Sequence, residues 1–272
     1  ANRYVFQGQL SYDNTFGGNH NVSATLVSEL KSYNKKYAYL KREYSFFTND
    51  IVDFASGLQT NAGNELEGAH ASYVGRVNYD FRGKYMLGYS FRYDGSFEYT
   101  PEKRWAFFPA MSAGWRISEE KFMKNKLPFI SNLKLRGSYG MIGEAVGEPF
   151  QYVLGFTSNP NQGAEFTNGS FVGGLVAPGV INPNFTWVKS EIADVGIDGS
   201  LLNNLISFEF DYYQRYKSGM LKVREGGLPN TFGGDMPIEN ITSELTRGFD
   251  MMLAFQNNRN AFKYGISGNL NL

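Results

Sequence analysis

Residues 72–118 read SYVGRVNYDFRGKYMLGYSFRYDGSFEYTPEKRWAFFPAMSAGWRIS. Tyr73, Gly75, Val77, Tyr79 and Phe81 fall on one face of an extended chain, and Val74, Arg76, Asn78 and Asp80 on the other. That period of two is the mark of a strand with unlike faces. A tight turn at Arg82-Gly83 follows, and then Tyr85, Leu87, Tyr89, Phe91 and Tyr93 alternate with Lys84, Met86, Gly88, Ser90 and Arg92. A polar loop from Asp94 to Arg104 leads to a third strand, with Phe107, Pro109, Met111, Ala113, Trp115 and Ile117 opposite Phe108, Ala110, Ser112, Gly114 and Arg116.

Each of these strands is about ten residues long, the length that crosses a bilayer at a tilt. Arg76 and Asp80 stand mid-strand, where the core of a β-sandwich would not accept them without partners. A wall with lipid on one side and a wet lumen on the other accepts them readily. A soluble antiparallel sheet with one solvated face gives the same alternation. The apolar face argues for the membrane: it is unusually aromatic, with its rings near strand ends, as in membrane girdles. Arg76, Asp80, Arg92, Arg116, Arg136 and Asp211 are therefore expected on one, concave side of the sheet.

Composition agrees with a β-rich envelope protein. Of 272 residues, 31 are glycine and 16% are aromatic. Lys+Arg and Asp+Glu are 26 each, so no net field draws nucleic acid or an acidic partner. With no cysteine there is neither a disulfide framework nor a thiolate metal site. No apolar run reaches the ~18 residues of a membrane helix, which excludes helical spans and leaves barrel strands untouched. The sequence opens and closes inside strand patterns, so a piece of a longer protein is expected, with bare edges at residues 4–12 and 261–272. Such a sheet either stays open as an arc or closes into a narrower ring.

Ten strands can be read in all. The other seven show their apolar faces at Tyr4–Tyr12, Val22–Leu30, Leu133–Met141, Trp187–Asp198, Ile206–Tyr216, Phe249–Phe255 and Tyr264–Leu270. A short helix is expected at Asp50–Leu58 and one helical turn at Glu119–Lys124. The shorter connections fall at 13–19, 82–83, 118–132, 199–204 and 257–260. The others fall at 31–68, 94–105, 142–186 and 217–246. Short turns on one side and long loops on the other is the outer-membrane barrel pattern, with the long loops outside the cell.

Many short motifs, in one order, resemble the SusC/RagA family of TonB-dependent outer-membrane transporters of Bacteroidetes. They include the run Ser72–Tyr85, Arg92–Ser96, Arg104–Pro109, Ala113–Glu120, Leu133–Gly140, Asn182–Trp187, Val195–Asp198, Asp211–Tyr213 and Arg247–Asp250. Val188 and Phe249 depart from it, each standing where the family usually has Glu. The resemblance implies that residues 1–272 are part of a larger transmembrane β-barrel, without its plug domain, TonB box and C-terminal strands. It also implies energy-dependent import of glycan oligomers or peptides, a SusD-like surface lipoprotein over the long loops, and coupling to the TonB complex.

Catalytic chemistry finds little foothold. There is no phosphate loop, HExxH or GxSxG. His20 and His70 are expected at opposite ends of the barrel, and Glu65 and Glu67 as a solvated loop pair. The Asn-x-Ser/Thr sequons at Asn21, Asn168, Asn184 and Asn240 are expected by chance in so Asn-rich a chain. No catalytic residue, cofactor, metal ligand or nucleic-acid partner is expected. Tyr99, Trp105, Phe166 and Phe171, in or beside the outer loops, are the candidate contacts for cargo or lid. The competing role for them is packing of the loops or an outer girdle. Two other readings stand beside transport: an outer-membrane barrel hydrolase, and a soluble β-sandwich binding module.

Overall fold

The computed structural model describes residues 1–43, 57–147, 149–166, 169, 171–176, 179–224, 226, 236–257 and 263–272. The strands are β1 (Asn2–Phe16), β2 (His20–Arg42), β3 (Gln59–Phe81), β4 (Tyr85–Ser96), β5 (Trp105–Arg116), β6 (Ile130–Glu144), β7 (Thr157–Glu165), β8 (Phe171–Val176), β9 (Val188–Leu201), β10 (Ile206–Val223), β11 (Ile238–Asn257) and β12 (Tyr264–Asn271). Ten of them form one antiparallel sheet in the order β1-β2-β3-β4-β5-β6-β9-β10-β11-β12, while β7 and β8 form a separate hairpin. The sheet is an open arc with β1 and β12 as its edges. The helix expected at Asp50–Leu58 lies outside the described residues except for Gly57 and Leu58, which are not helical. The turn expected at Glu119–Lys124 is a 3-10 turn, Ile117–Glu119, followed by α1 (Lys121–Lys126).

One set of directly paired residues crosses every strand of the sheet: Thr15, Asn21, Asp80, Met86, Gly114, Arg136, Gly196, Asp211, Asp250 and Asn271. Paired residues share a face. Arg76, Arg92 and Arg116 lie an even number of positions from members of this rung, so all six charged residues expected on one side are there. A single concavity of about 800 Å³ touches Thr15 on β1, Asp194 on β9 and the strands between, so the polar face is the inside of the curve.

The outer face carries a band of apolar side chains, among them Leu87 (55% exposed), Val195 (58%) and Leu253 (56%). A soluble protein rarely exposes so continuous a patch. The band runs diagonally. On β1 its members, Tyr4 to Tyr12, all lie above the rung residue Thr15. On β10, Phe208 and Phe210 lie below the rung residue Asp211, and the outer face already turns polar at Gln214. The slip is about one residue per strand. With a ~3.3 Å rise and ~4.8 Å strand spacing, that corresponds to a strand tilt of about 35–40°, as a membrane barrel requires.

Two loop expectations change. The segments at 31–68 and 217–246 are largely strand, because β2 and β3 are 23 residues each and β10 and β11 are 18 and 20. These ladders outrun the ~9–11 residues that a bilayer needs. Their outer face shows where they leave it: Lys36 pairs with Glu65 at 3.0 Å, and Asn34 Nδ2 donates to Glu65 and Glu67 at 2.7 and 2.6 Å. Glu65 and Glu67 are thus strand residues held by an amide, not loop residues. Alternation of apolar and polar residues ends where lipid ends, so sequence pattern stops reporting the strand although its hydrogen bonds continue.

Candidate functional site

The inner wall is organised by Arg136 on β6. Its Nε donates to Asp198 Oδ1 at 2.9 Å, Nη1 to Asp194 Oδ1 at 3.4 Å and Nη2 to Asp211 Oδ2 at 2.6 Å. Lys134 adds a second cation 3.9 Å from Asp198. Asp211 is two strands from Arg136, and the residue between them in the rung is Gly196. A Cβ there would meet Asp211 Oδ1 at 2.1 Å and Arg136 Cζ at 2.9 Å. Farther along the wall Arg92 binds Asp94 through both Nε and Nη2 at 3.0 Å. Asn21 Nδ2 donates to Asp80 at 3.2 Å. Such a wall has its charges matched locally, which suits a hydrated passage.

Above the wall sits a small aromatic core. β5 pairs with β6 only from Ala110 to Arg116, although β5 runs on to Trp105 and β6 to Glu144. Pro109, next to the last pair, has no N–H for a ladder. Tyr99, Phe108, Phe185 and Trp187 form a buried cluster at this end of the sheet, with Ala106, Met141, Ala145 and Leu221 against it. The Phe108 ring takes the space beside Gly143, where a Cβ would meet Phe108 Cζ at 1.8 Å.

Polar bonds lock the segment Asn182–Trp187 into that core. Trp187 Nε1 donates to Lys103 O at 3.2 Å, and Lys103 Nζ donates to Pro183 O at 3.2 Å and Asn184 Oδ1 at 2.8 Å. Asn182 Nδ2 reaches Ile238 O at 3.0 Å. Asn240 accepts the Thr186 N–H at 3.0 Å and donates to Thr186 O at 2.8 Å and Gly219 O at 2.7 Å. Gly219 sits at the β10 bulge with φ +73°, a conformation glycine adopts without strain. Asn184 and Asn240, met in the sequence only as chance sequons, thus fasten loops. Asn168, another of the four sequons, lies outside the described residues.

The four candidate contact residues separate into three places. Tyr99 is fully buried in the aromatic core, where it accepts the Val146 N–H at 3.2 Å and burial pushes its phenol up to about 12. It supports the loops and offers no free face. Trp105 pairs with Gly95 on the apolar outer face and stacks on Tyr93 and Tyr73 at 4.9 and 6.1 Å, a girdle position. Phe166 and Phe171 stand at the tip of the β7–β8 hairpin, 56% and 53% exposed. The hairpin itself escaped the sequence reading because its Gly, Asn and Pro residues carry no period.

At the opposite rim, Glu120 accepts hydrogen bonds from Tyr85 Oη at 2.6 Å, Trp115 Nε1 at 3.3 Å and Lys84 Nζ at 3.4 Å. The Tyr85 bond first, then the Trp115 bond, hold its carboxyl below the usual carboxylate range. Glu119 is held low by Lys124 at 2.6 Å. His20 sits at this rim, paired with Phe81, and its Nδ1 lies 2.8 Å from Tyr79 Oη; His70 pairs with Ser96 at the other end. The two histidines are on opposite faces as well, so they share no site.

A sequence profile described as TonB dependent receptor-like, beta-barrel matches residues 1–272. TonB-dependent receptor P26 of Formosa agariphila is 27% identical over 259 residues, covering 93% of this chain and 25% of that protein. TonB-dependent receptor SusC of Bacteroides thetaiotaomicron is 31% identical over 183 residues, 67% of this chain and 18% of that protein. Among solved structures, the RagAB peptide importer in its closed-closed state superposes with a TM-score of 0.79 at 21% identity, over 99% of this chain and 30% of that one. The Escherichia coli outer membrane transporter YddB gives 0.55 at 10% identity, over 98% of this chain and 33% of that one. The chain thus spans about a quarter of the length of the curated relatives it matches.

Proposed function

The chain belongs to the TonB-dependent receptor-like β-barrel family, and on that premise we propose that it forms part of the wall and outer mouth of an energy-dependent importer of glycan oligomers. Its place is the outer membrane, as a multi-pass β-barrel. Residues 1–272 supply ten strands of a larger barrel; the plug domain, TonB box and remaining strands belong to the rest of the protein. The TonB complex drives transport through that remainder, and a SusD-like surface lipoprotein covers the long loops.

The observation that carries this reading is the ten-strand rung with matched charges inside and a tilted apolar band outside. A wall of that kind passes a hydrated, neutral cargo without trapping it. Arg136 and its three aspartates are tied to one another rather than poised as an acid–base pair, which weighs against a barrel hydrolase. The continuous apolar band weighs against a soluble sandwich.

The test uses the full-length transporter with its lipoprotein. Deleting Gly163–Gly174, the β7–β8 hairpin tip with Phe171, should reduce binding of oligosaccharide or lipoprotein while the barrel still assembles. Unchanged binding and uptake, or hydrolysis of the cargo by the purified protein, would overturn the proposal.

A further inference from the structure

β2 and β3 rise beyond the apolar band, and their concave face carries aromatic side chains with no role in the wall. Tyr33 and His70 lie on the same face as Asp80 by register. Their rings are 6.4 Å apart and 23° from parallel. Phe97, just past β4, stands edge-on to both, at 6.2 and 5.5 Å. Phe150 meets Phe97 edge-on at 5.7 Å. Its backbone is left-handed, φ +61°, a conformation that is unfavourable for a bulky residue. Its ring remains 46% exposed. Gly68 opens the space for Tyr33, since a Cβ there would meet Tyr33 Cζ at 2.4 Å. Tyr37 and Tyr39 continue along the same face of β2, 54% and 39% exposed. Alternate residues of a strand are about 7 Å apart, so the rings make a track rather than a single pocket.

The neighbours on that face are polar. Lys31, His70 and Ser96 are paired in register, and Ser96 N–H donates to Arg104 O at 3.1 Å, which extends the row to Arg104. Among the described residues, Arg104 Nε is buried without a hydrogen-bond partner. One row below stand Glu29, Ser72 and Asp94. Rings and polar groups thus stand side by side, and a ligand that fits them offers both an apolar face and hydrogen-bonding groups. A pyranose has an apolar C–H face for the rings and equatorial hydroxyls for the donors and acceptors around them.

We infer that Tyr33, His70, Phe97 and Phe150, continued by Tyr37 and Tyr39, form a stacking track that takes successive pyranose rings of a neutral oligosaccharide at the outer mouth. This rests on the glycan reading of the cargo above. It adds the residues that hold the sugar and the face of the sugar that they hold.

The experiment measures binding of four neutral hexasaccharides (α-1,4-glucan, β-1,4-glucan, β-1,4-mannan and β-1,4-xylan) to the full-length transporter by saturation-transfer NMR. A Phe-containing hexapeptide is the comparison. Tyr33→Ala and Phe97→Ala should weaken the bound sugar at least tenfold, while Phe97→Trp, which keeps a ring, should not. Tyr37→Ala, at an exposed position, should weaken it several-fold. Saturation should reach the sugar's ring protons before those of its exocyclic groups. Sugar binding and uptake undiminished in all three alanine variants would refute the track and leave the glycan reading standing. A wild type that binds the peptide and none of the sugars would refute both.

Discussion

Arg136 and Asp211 share a 2.6 Å hydrogen bond although a whole strand, β9, runs between theirs. The bond exists because the β9 residue in their rung, Gly196, has no side chain. Three aspartates on two strands converge on one guanidinium, so the wall is held by side chains as well as by its ladders.

Filling that gap should therefore damage the wall. Gly196→Val is expected to destabilise the barrel by about 1–3 kcal/mol, since either Arg136 or Asp211 must give way. Gly8→Ala is the control: nothing lies within 4 Å of its Cβ position, so the change should stay within roughly ±0.5 kcal/mol. Urea unfolding of the full-length protein in detergent measures both, and equal midpoints would discard the account.

Removing the guanidinium leaves carboxylates facing each other. Arg136 and its partners are 17–30% exposed, so Arg136→Met should cost roughly 1–2 kcal/mol after solvent screening. Asp194→Asn in the same background should recover part of that loss, whereas Asp194→Asn alone should not stabilise. A double-mutant cycle reads the coupling directly.

Phe185 is fully buried in the aromatic core, and Phe185→Ala should cost about 3–5 kcal/mol of local stability. Tyr99→Phe removes only the hydroxyl that accepts the Val146 N–H, so about 1 kcal/mol is expected. Both should show as faster proteolysis between residues 97 and 104 and near 182–187, with the strands still protected. Cutting confined to other loops would contradict the role given to Asn182–Trp187.

Glu120 gives a pH signature. Its folded carboxyl is held below the ordinary value of 4.5 by its Tyr85, Trp115 and Lys84 bonds. The stabilisation is therefore fully present above about 4.5 and is lost as pH falls through the lower, folded value. Trp115 fluorescence in the full-length protein should change on acidification from pH 6 to pH 3, and Glu120→Gln should flatten that change. An identical acid transition in the variant would assign it to other carboxylates.

The sequence by itself determined the ten strands of the sheet, the inside and outside of each, and the short turns at one rim. It could do so because lipid on one side and water on the other impose a period of two on every residue between them. For the same reason it identified Arg76, Asp80 and Arg136 as inner residues without knowing their partners. Where both faces meet water the period vanishes, and so the upper halves of β2, β3, β10 and β11 and the β7–β8 hairpin became visible only in the folded chain. The tertiary structure alone decided that Tyr99 is buried, that Trp105 belongs to the outer girdle, and that Asn182 and Asn240 fasten the loops. It alone brought Tyr33, His70, Phe97 and Phe150 together. Those ring contacts join residues from 27 to 64 positions apart, and their geometry comes from strand register and tilt, which are properties of the whole sheet and not of any one segment.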